Sequence, residues 1–186
     1  MTYKTHFATS LSVGLPIMDA TGTVGVGAIV ALALGALLPD IDAPGSWIGR
    51  RTRGLSDLSG KLCGHRGITH SLVAVAFIAL LTVPLILFLS LSIPVVVALV
   101  GGYFLHLAGD SFSKSGIAWL RPFSKRNYQS GFRRVYYTTG SGVEMIVLVV
   151  ASLFLAWMIS RMNLAALTAE LEQIGGWVEY ILSFGR

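Results

Sequence analysis

The chain predicts an all-α fold: a polytopic membrane helix bundle with four or five membrane segments and a C-terminal amphipathic interfacial helix. Three observations point there. Of 186 residues, 54% are hydrophobic and 12% charged, with a mean hydropathy of +0.71, whereas a soluble domain carries about 25% charge. The apolar runs near 68–93, 94–109 and 143–160 reach or approach the length needed to cross a bilayer. The four histidines and four of the nine carboxylates sit at the ends of apolar segments and not within the long apolar stretches. We read one membrane-embedded domain over 1–162 and an amphipathic helix over 163–186.

Residues 5–19 predict a short helix entering the membrane, the Gly- and Thr-rich string after Asp19 a turn, and residues 24–38 a returning helix. At about 22 Å each, this pair is short for a full crossing and reads as tilted or re-entrant. Pro39 and Pro44 stop the second helix and open a polar, basic loop over 43–66. A third helix runs from Gly67 to about Leu91 with a kink at Pro84. Pro94 suits the first turn of a fourth, which ends near Phe112. A second basic loop over 113–141 carries Trp119, Phe123, Tyr128, Phe132, Tyr136 and Tyr137, and the last spanning helix covers 142–161. In the tail, Leu164, Leu167, Leu171, Ile174, Val178, Ile181 and Leu182 recur at three- and four-residue spacing. That is an amphipathic helix in the membrane interface, with a break expected at Gly175–Gly176.

If five segments alternate from a cytoplasmic N-terminus, Lys4 shares one side with the two basic loops. Lys4, five basic residues in the first loop and six in the second make twelve of the chain's fourteen. The positive-inside bias therefore places that side in the cytoplasm. It also accounts for the net charge of +5 without a nucleic-acid partner. No cleavable signal peptide is evident in residues 1–20. Cys63, the single cysteine, cannot form an internal disulfide.

The same alternation gathers His6, Asp40, Asp42, His65, His70, His106, Asp110 and Glu144 at that leaflet. His106 and Asp110, four apart on a helix, project from one face as two ligands or as a ligand and its orienting carboxylate; a polar pair at a helix end is the competing reading. Asp40 and Asp42 suit neighbouring metals, or one ligand and one carboxylate orienting a histidine; taken alone, helix termination with solvated charge is the favoured reading. His65 and His70 are five apart, about 140° round a helix, so they converge only across a loop–helix junction. Arg66 between them offers a planar fork to a carboxylate or phosphate. For Ser71, a hydrogen bond to backbone or ligand is favoured over nucleophilic attack. Glu144 is a ligand or general base, against the competing reading of a first-turn acid favoured by the helix dipole. Four histidines and four acids are enough for one or two divalent ions, zinc or manganese before magnesium. Such a site activates water and stabilises a phosphoryl transition state. The basic loops suit an anionic substrate, and loop 113–141 suits anchoring at the headgroup level.

The ordered strings PDID, HRGITHS, HLAGD and TGSGVE, with RPFS in the last loop, resemble the YdjM family of membrane-bound proteins described as metal-dependent hydrolases, over about residues 1–160. The resemblance maps the family's motif residues onto His6, Asp40, Asp42, His65, Arg66, His70, His106, Asp110 and Glu144. One departure is Arg121 before Pro122, where a tryptophan is expected. The resemblance implies a multi-pass protein of the bacterial inner (cytoplasmic) membrane and an association with LexA-controlled (SOS) damage induction. The expected function is therefore a metal-dependent hydrolase. It would cleave a phosphoester, or failing that an acyl ester, of a membrane lipid or lipid-linked anionic substrate at the cytoplasmic leaflet. His6, Asp40, Asp42, His65, His70, His106 and Asp110 hold the metal, and Arg66 and Glu144 serve the reaction. The rivals are a metal-ion transporter and a non-catalytic, metal-stapled membrane protein of a stress response. Midplane sites are usual in transport and these ligands lie at one edge, which disfavours the first. The sequence does not reach oligomeric state.

Overall fold

The computed structural model describes residues 1–42, 46, 50–51, 67–132, 134–162 and 164–183. Among them are six helices: α1 Tyr3–Ala20, α2 Val26–Gly35, α3 Leu72–Leu89, α4 Ile93–Ser111, α5 Gly142–Arg161 and α6 Leu164–Ser183. Short 3-10 turns cover Leu38–Asp42 and Ile68–His70. Two isolated bridges, Ser113 with Tyr137 and Ile117 with Tyr128, are the only extended pairings described. The all-α expectation holds. By length and composition, α4 and α5 are able to cross a membrane, whereas α2 and Leu72–Phe88 of α3 are apolar but shorter. The expected four or five segments thus meet that test in two cases.

Most helix ends fall where local chemistry puts them. Pro94 occupies the first turn of α4, where a missing N–H costs nothing. Ser141 caps α5 by accepting from the Glu144 N–H. Helix α3 starts later than expected, because Ser71 is its cap and the residues before it form a 3-10 turn. The Ser71 hydroxyl accepts from the Ala74 N–H and donates 2.6 Å to the Ile68 carbonyl, so it is committed to backbone. The expected break at Gly175–Gly176 is absent, and α6 runs through both glycines. Glycine lowers helix propensity by about 1 kcal/mol per residue without blocking a backbone hydrogen bond, so two of them do not stop a helix that neighbouring residues support.

Helix α4 is the hub, packed by α2, α1 and α3, while α5 packs on α1. The core has two parts. Leu11, Leu15, Met18, Ala28, Ala31, Leu32 and Ala98 fill the middle of α1, α2 and α4. Ala74, Tyr103, Leu107 and Ile117 fill the α3–α4 end beneath loop 112–141. Outward faces are apolar: Phe88 is 81% and Leu153 67% exposed, among many others. Contiguous apolar surface on this scale marks a hydrocarbon-facing or partner-facing protein.

The α2–α4 contact is backbone on backbone. A Cβ on Gly35 would lie 2.0 Å from the Leu99 carbonyl oxygen, and one on Gly102 would lie 2.2 Å from the Leu32 carbonyl oxygen. Small residues at a crossing let membrane helices approach this closely. Adjacent Gly101 faces open space, with nothing within 4 Å of its Cβ position. Gly102→Ala is expected to cost about 1–3 kcal/mol by overpacking, whereas Gly101→Ala is expected to be neutral or slightly stabilising. Thermal unfolding of the two variants in detergent checks the contrast, and equal melting temperatures would contradict the close crossing.

Candidate metal centre

The site forms where four backbone segments converge at one end of the bundle. His6 comes from the first turn of α1, Asp40 from the turn after α2, His70 from the turn before α3, and His106 and Asp110 from the last turns of α4. His6, His70, His106 and Asp110 are each no more than 1% exposed, among the most deeply buried side chains described. Burying this many ionisable groups is costly unless they are paired or coordinate an ion.

Four atoms face one another. His70 Nε2 lies 3.8 Å from Asp40 Oδ1 and 3.7 Å from Asp110 Oδ2. His106 Nε2 lies 3.8 Å and 3.9 Å from the same two oxygens. These separations are too long for hydrogen bonds. Donors about 2.0–2.2 Å from one tetrahedral ion lie about 3.3–3.6 Å apart, so the observed edges exceed that by only a few tenths of an ångström. Two imidazoles and two carboxylates are a donor set that zinc or manganese accepts.

His106 gives the clearest test of fit. Its Nδ1 lies 2.7 Å from the Ala36 carbonyl, which can only accept, so Nδ1 carries the proton and donates. The neutral ring then presents a lone pair at Nε2, which is buried and has no hydrogen-bond partner among the described residues. This is the tautomer that a carbonyl accepting from the far ring nitrogen imposes on a metal-binding histidine. With Nδ1 engaged, His106 serves a single ion. The described residues therefore build one cage, although two ligand groups, His6–His106–Asp110 and Asp40–His70–His106, overlap at it.

Asp110 is split between two tasks. Its Oδ2 faces the cage, while Oδ1 accepts from the Tyr137 hydroxyl at 3.1 Å and the Met1 amino group at 2.8 Å. His6 Nε2 also lies 3.1 Å from Oδ1, and the His6 ring stacks on His106 at 3.6 Å. His6 thus sits against two cage residues, placed either to ligate or to brace them. On the other side, the Tyr103 hydroxyl donates 2.6 Å to the Thr69 carbonyl and holds the turn bearing His70. Asp40, at 23% side-chain exposure, is the cage's outer edge. Its burial raises the carboxyl above its ordinary pKa, opposed chiefly by the nearby histidines.

Five of the expected site residues come together: His6, Asp40, His70, His106 and Asp110. His70 stands in a 3-10 turn, not the first helical turn. Asp42 ends the 3-10 turn after α2, with its side chain outside the described set, and His65 and Arg66 lie outside the described residues. Glu144 is buried but turned to another task. It accepts from the Thr2 N–H, from the Thr5 hydroxyl at 2.9 Å and from the Gly140 N–H at 2.6 Å, tying the start of α1 to α5. Tyr137 was not foreseen as a site residue. The sequence shows it as one of several aromatics in a basic loop, and only the bridge between Ser113 and Tyr137 turns it inward.

The family described as "YdjM inner membrane protein" matches residues 1–169. The chain belongs to this family. Proteins named "Inner membrane protein YdjM" from Escherichia coli (strain K12) and Shigella flexneri are each 40% identical over 91 residues, 48% of this chain and 46% of theirs. A Bacillus subtilis (strain 168) protein named "Uncharacterized protein YvsG" is 33% identical over 116 residues, 62% of this chain and 68% of its own length. The chain thus covers about half the length of the two YdjM relatives. No solved structure matches. The YdjM match takes in every candidate site residue and stops within α6.

Elemental analysis of detergent-purified protein is expected to find one equivalent of divalent transition metal, absent from His106→Ala and Asp110→Ala. Tyr137→Phe should retain metal with about 10- to 100-fold lower affinity, the usual cost of losing an outer-shell partner. Because a proton competes with metal at Asp40, affinity should fall as pH drops through that carboxyl's raised range. A pH-independent affinity in competition with a fluorescent chelator would remove Asp40 from the ligand set.

Proposed function

We propose that this YdjM-family protein is a multi-pass protein of the bacterial inner membrane and a metal-dependent hydrolase. Its substrate is a phosphoester, or less favourably an acyl ester, of a lipid or lipid-linked molecule at the cytoplasmic leaflet. The observation that carries the reading is the cage around His106 Nε2, a buried lone pair facing a second imidazole and two carboxylate oxygens. The relatives' names support the membrane assignment. The remaining helices α1, α2 and α3 would complete the span beside α4 and α5. The basic residues flanking the cage support a cytoplasmic orientation and an anionic substrate.

When bound, a zinc or manganese ion supplies Lewis acidity to the substrate oxygen and acidifies a water. His70, His106, Asp40 and Asp110 would hold it, with His6 bracing the cage or adding a ligand. Asp42 and His65 would be further candidate ligands by their places in the sequence. Ala36, Tyr137 and Tyr103 fix ring and carboxylate orientation, which keeps the donor atoms in register. Asp40, at the solvent edge, marks the side from which substrate would approach. Arg66, outside the described residues, would contact a substrate oxyanion or lock a carboxylate. The oxygens of Glu144 are committed to backbone and hydroxyl donors, which suits an anchor for the His6 segment better than a base.

The test is turnover of lipid phosphoesters by zinc- or manganese-loaded protein in detergent or nanodiscs. His70→Ala is expected to lower turnover by more than about 100-fold, beyond a typical outer-shell effect, with unchanged elution and helicity. Wild type that binds metal, unfolds on chelation and hydrolyses no lipid ester would favour a metal staple and sink the hydrolase reading.

A further inference from the structure

A second cavity adjoins the cage. It encloses about 250 Å³ and is lined in part by His70, Ser115, Gly116, Arg121 and Asn127. That is below the roughly 300–1,000 Å³ of a drug-sized site and well above one water's share of about 30 Å³. Arg121 is the cationic side chain in its wall, and its Nε is buried without a hydrogen-bond partner among the described residues. A guanidinium N–H removed from water and left unmatched is costly, more so than a neutral donor.

The cavity wall is held in place by backbone. Ile117 and Tyr128 exchange two hydrogen bonds, of 3.1 and 2.8 Å, across the loop. The Leu72 N–H donates 2.9 Å to the Trp119 carbonyl, fastening the loop to the start of α3, two residues from His70. The Arg121 N–H donates 3.2 Å to Ala118, and Asn127 Nδ2 donates 3.2 Å to the Ser115 carbonyl. Gly116 is at φ +61°, and a Cβ there would lie 2.3 Å from the Tyr128 carbonyl oxygen, so the wall tolerates only glycine at that point. An arginine in the wall of a small cavity that shares His70 with the cage suits a planar or tetrahedral oxyanion.

We propose that this cavity is a phosphate-binding subsite in which Arg121 holds the oxyanion of a phosphoester beside the metal cage. Its purpose rests on the hydrolase reading, because it places a phosphoryl group next to His70. Its binding chemistry does not. Orthophosphate and a lipid phosphomonoester present the same oxyanion, so the test carries both.

The experiment measures binding to the full chain in detergent after chelation, so that no metal contributes. One arm titrates inorganic phosphate by calorimetry. The other measures binding to phosphatidylcholine nanodiscs with and without phosphatidic acid. Arg121→Gln is expected to weaken binding roughly 10- to 100-fold, as for loss of a charge-assisted pair. Arg121→Lys, which keeps the charge without the planar fork, should bind several-fold weaker than wild type. It also reads the site should Arg121→Gln fail to fold. Arg121-dependent binding in either arm supports the subsite, and the arm that responds identifies the source of the phosphate. Binding absent from both arms, or equal in wild type and both variants, overturns it. Arg121-dependent binding without lipid-ester turnover would sink the hydrolase reading alone.

Discussion

The closeness of α2 to α4 is the constraint on which the site depends. Gly35 and Gly102 let the two backbones meet without intervening side chains. That approach carries the C-terminal end of α2 to within hydrogen-bonding distance of His106, one turn beyond Gly102. The Ala36 carbonyl is one of the groups that a helix end leaves unsatisfied, and in this buried position it needs a donor. His106 Nδ1 provides it. One contact therefore satisfies the helix end, sets the tautomer of the imidazole and directs Nε2 toward the carboxylates. A wider crossing would lose all three together.

The second constraint is electrostatic. Asp110 is buried at the end of an apolar helix, where an isolated carboxylate would be strongly disfavoured. The fold surrounds its Oδ1 with a hydroxyl, an amino group and an imidazole, and leaves Oδ2 toward the cage. This division matters chemically. One oxygen is fixed in direction, so the other is fixed too, and a ligand held that way loses little entropy on binding an ion. The stacked His6 and His106 rings add a further restraint by limiting rotation of both.

The sequence revealed much of this because apolar periodicity and breaker residues are local signals. Pro94 and the uninterrupted run after Gly142 placed α4 and α5 to within a residue or two. Alternating the apolar segments sufficed to bring His6, Asp40, His70, His106 and Asp110 to one end, since each follows or precedes a helix terminus. Three features were not legible. Helix α6 crosses Gly175–Gly176, because continuity there is decided by the neighbouring residues and not by two weak formers. Glu144 read as a ligand, a general base or a first-turn helix acid from its place in an apolar helix, and the groups that occupy it come from Thr2, Thr5 and Gly140, distant or invisible in pattern. Tyr137 and the Ala36 carbonyl act through tertiary contact, and neither has a spacing that would announce it.

The loop over 112–141 shows how positive charge divides between surface and interior. Lys125 and Arg126 are exposed, and the Arg126 guanidinium sits 5.4 Å from the Tyr128 ring centroid, as an interfacial cation would. Phe123 and Phe132, each 87% exposed, suit insertion among headgroups. Arg121 differs from these neighbours because its Nε is buried, and the loop is hydrogen-bonded to α3 and to itself around it. Positive-inside bias explains why a basic residue is found in this loop, but it does not explain why the Nε of one is buried beside a cavity that reaches His70. A cation needed only for topology would remain in water, where it costs nothing. The placement of Arg121 is intelligible if an anion shares the cavity, and that argument holds whatever chemistry the cage performs.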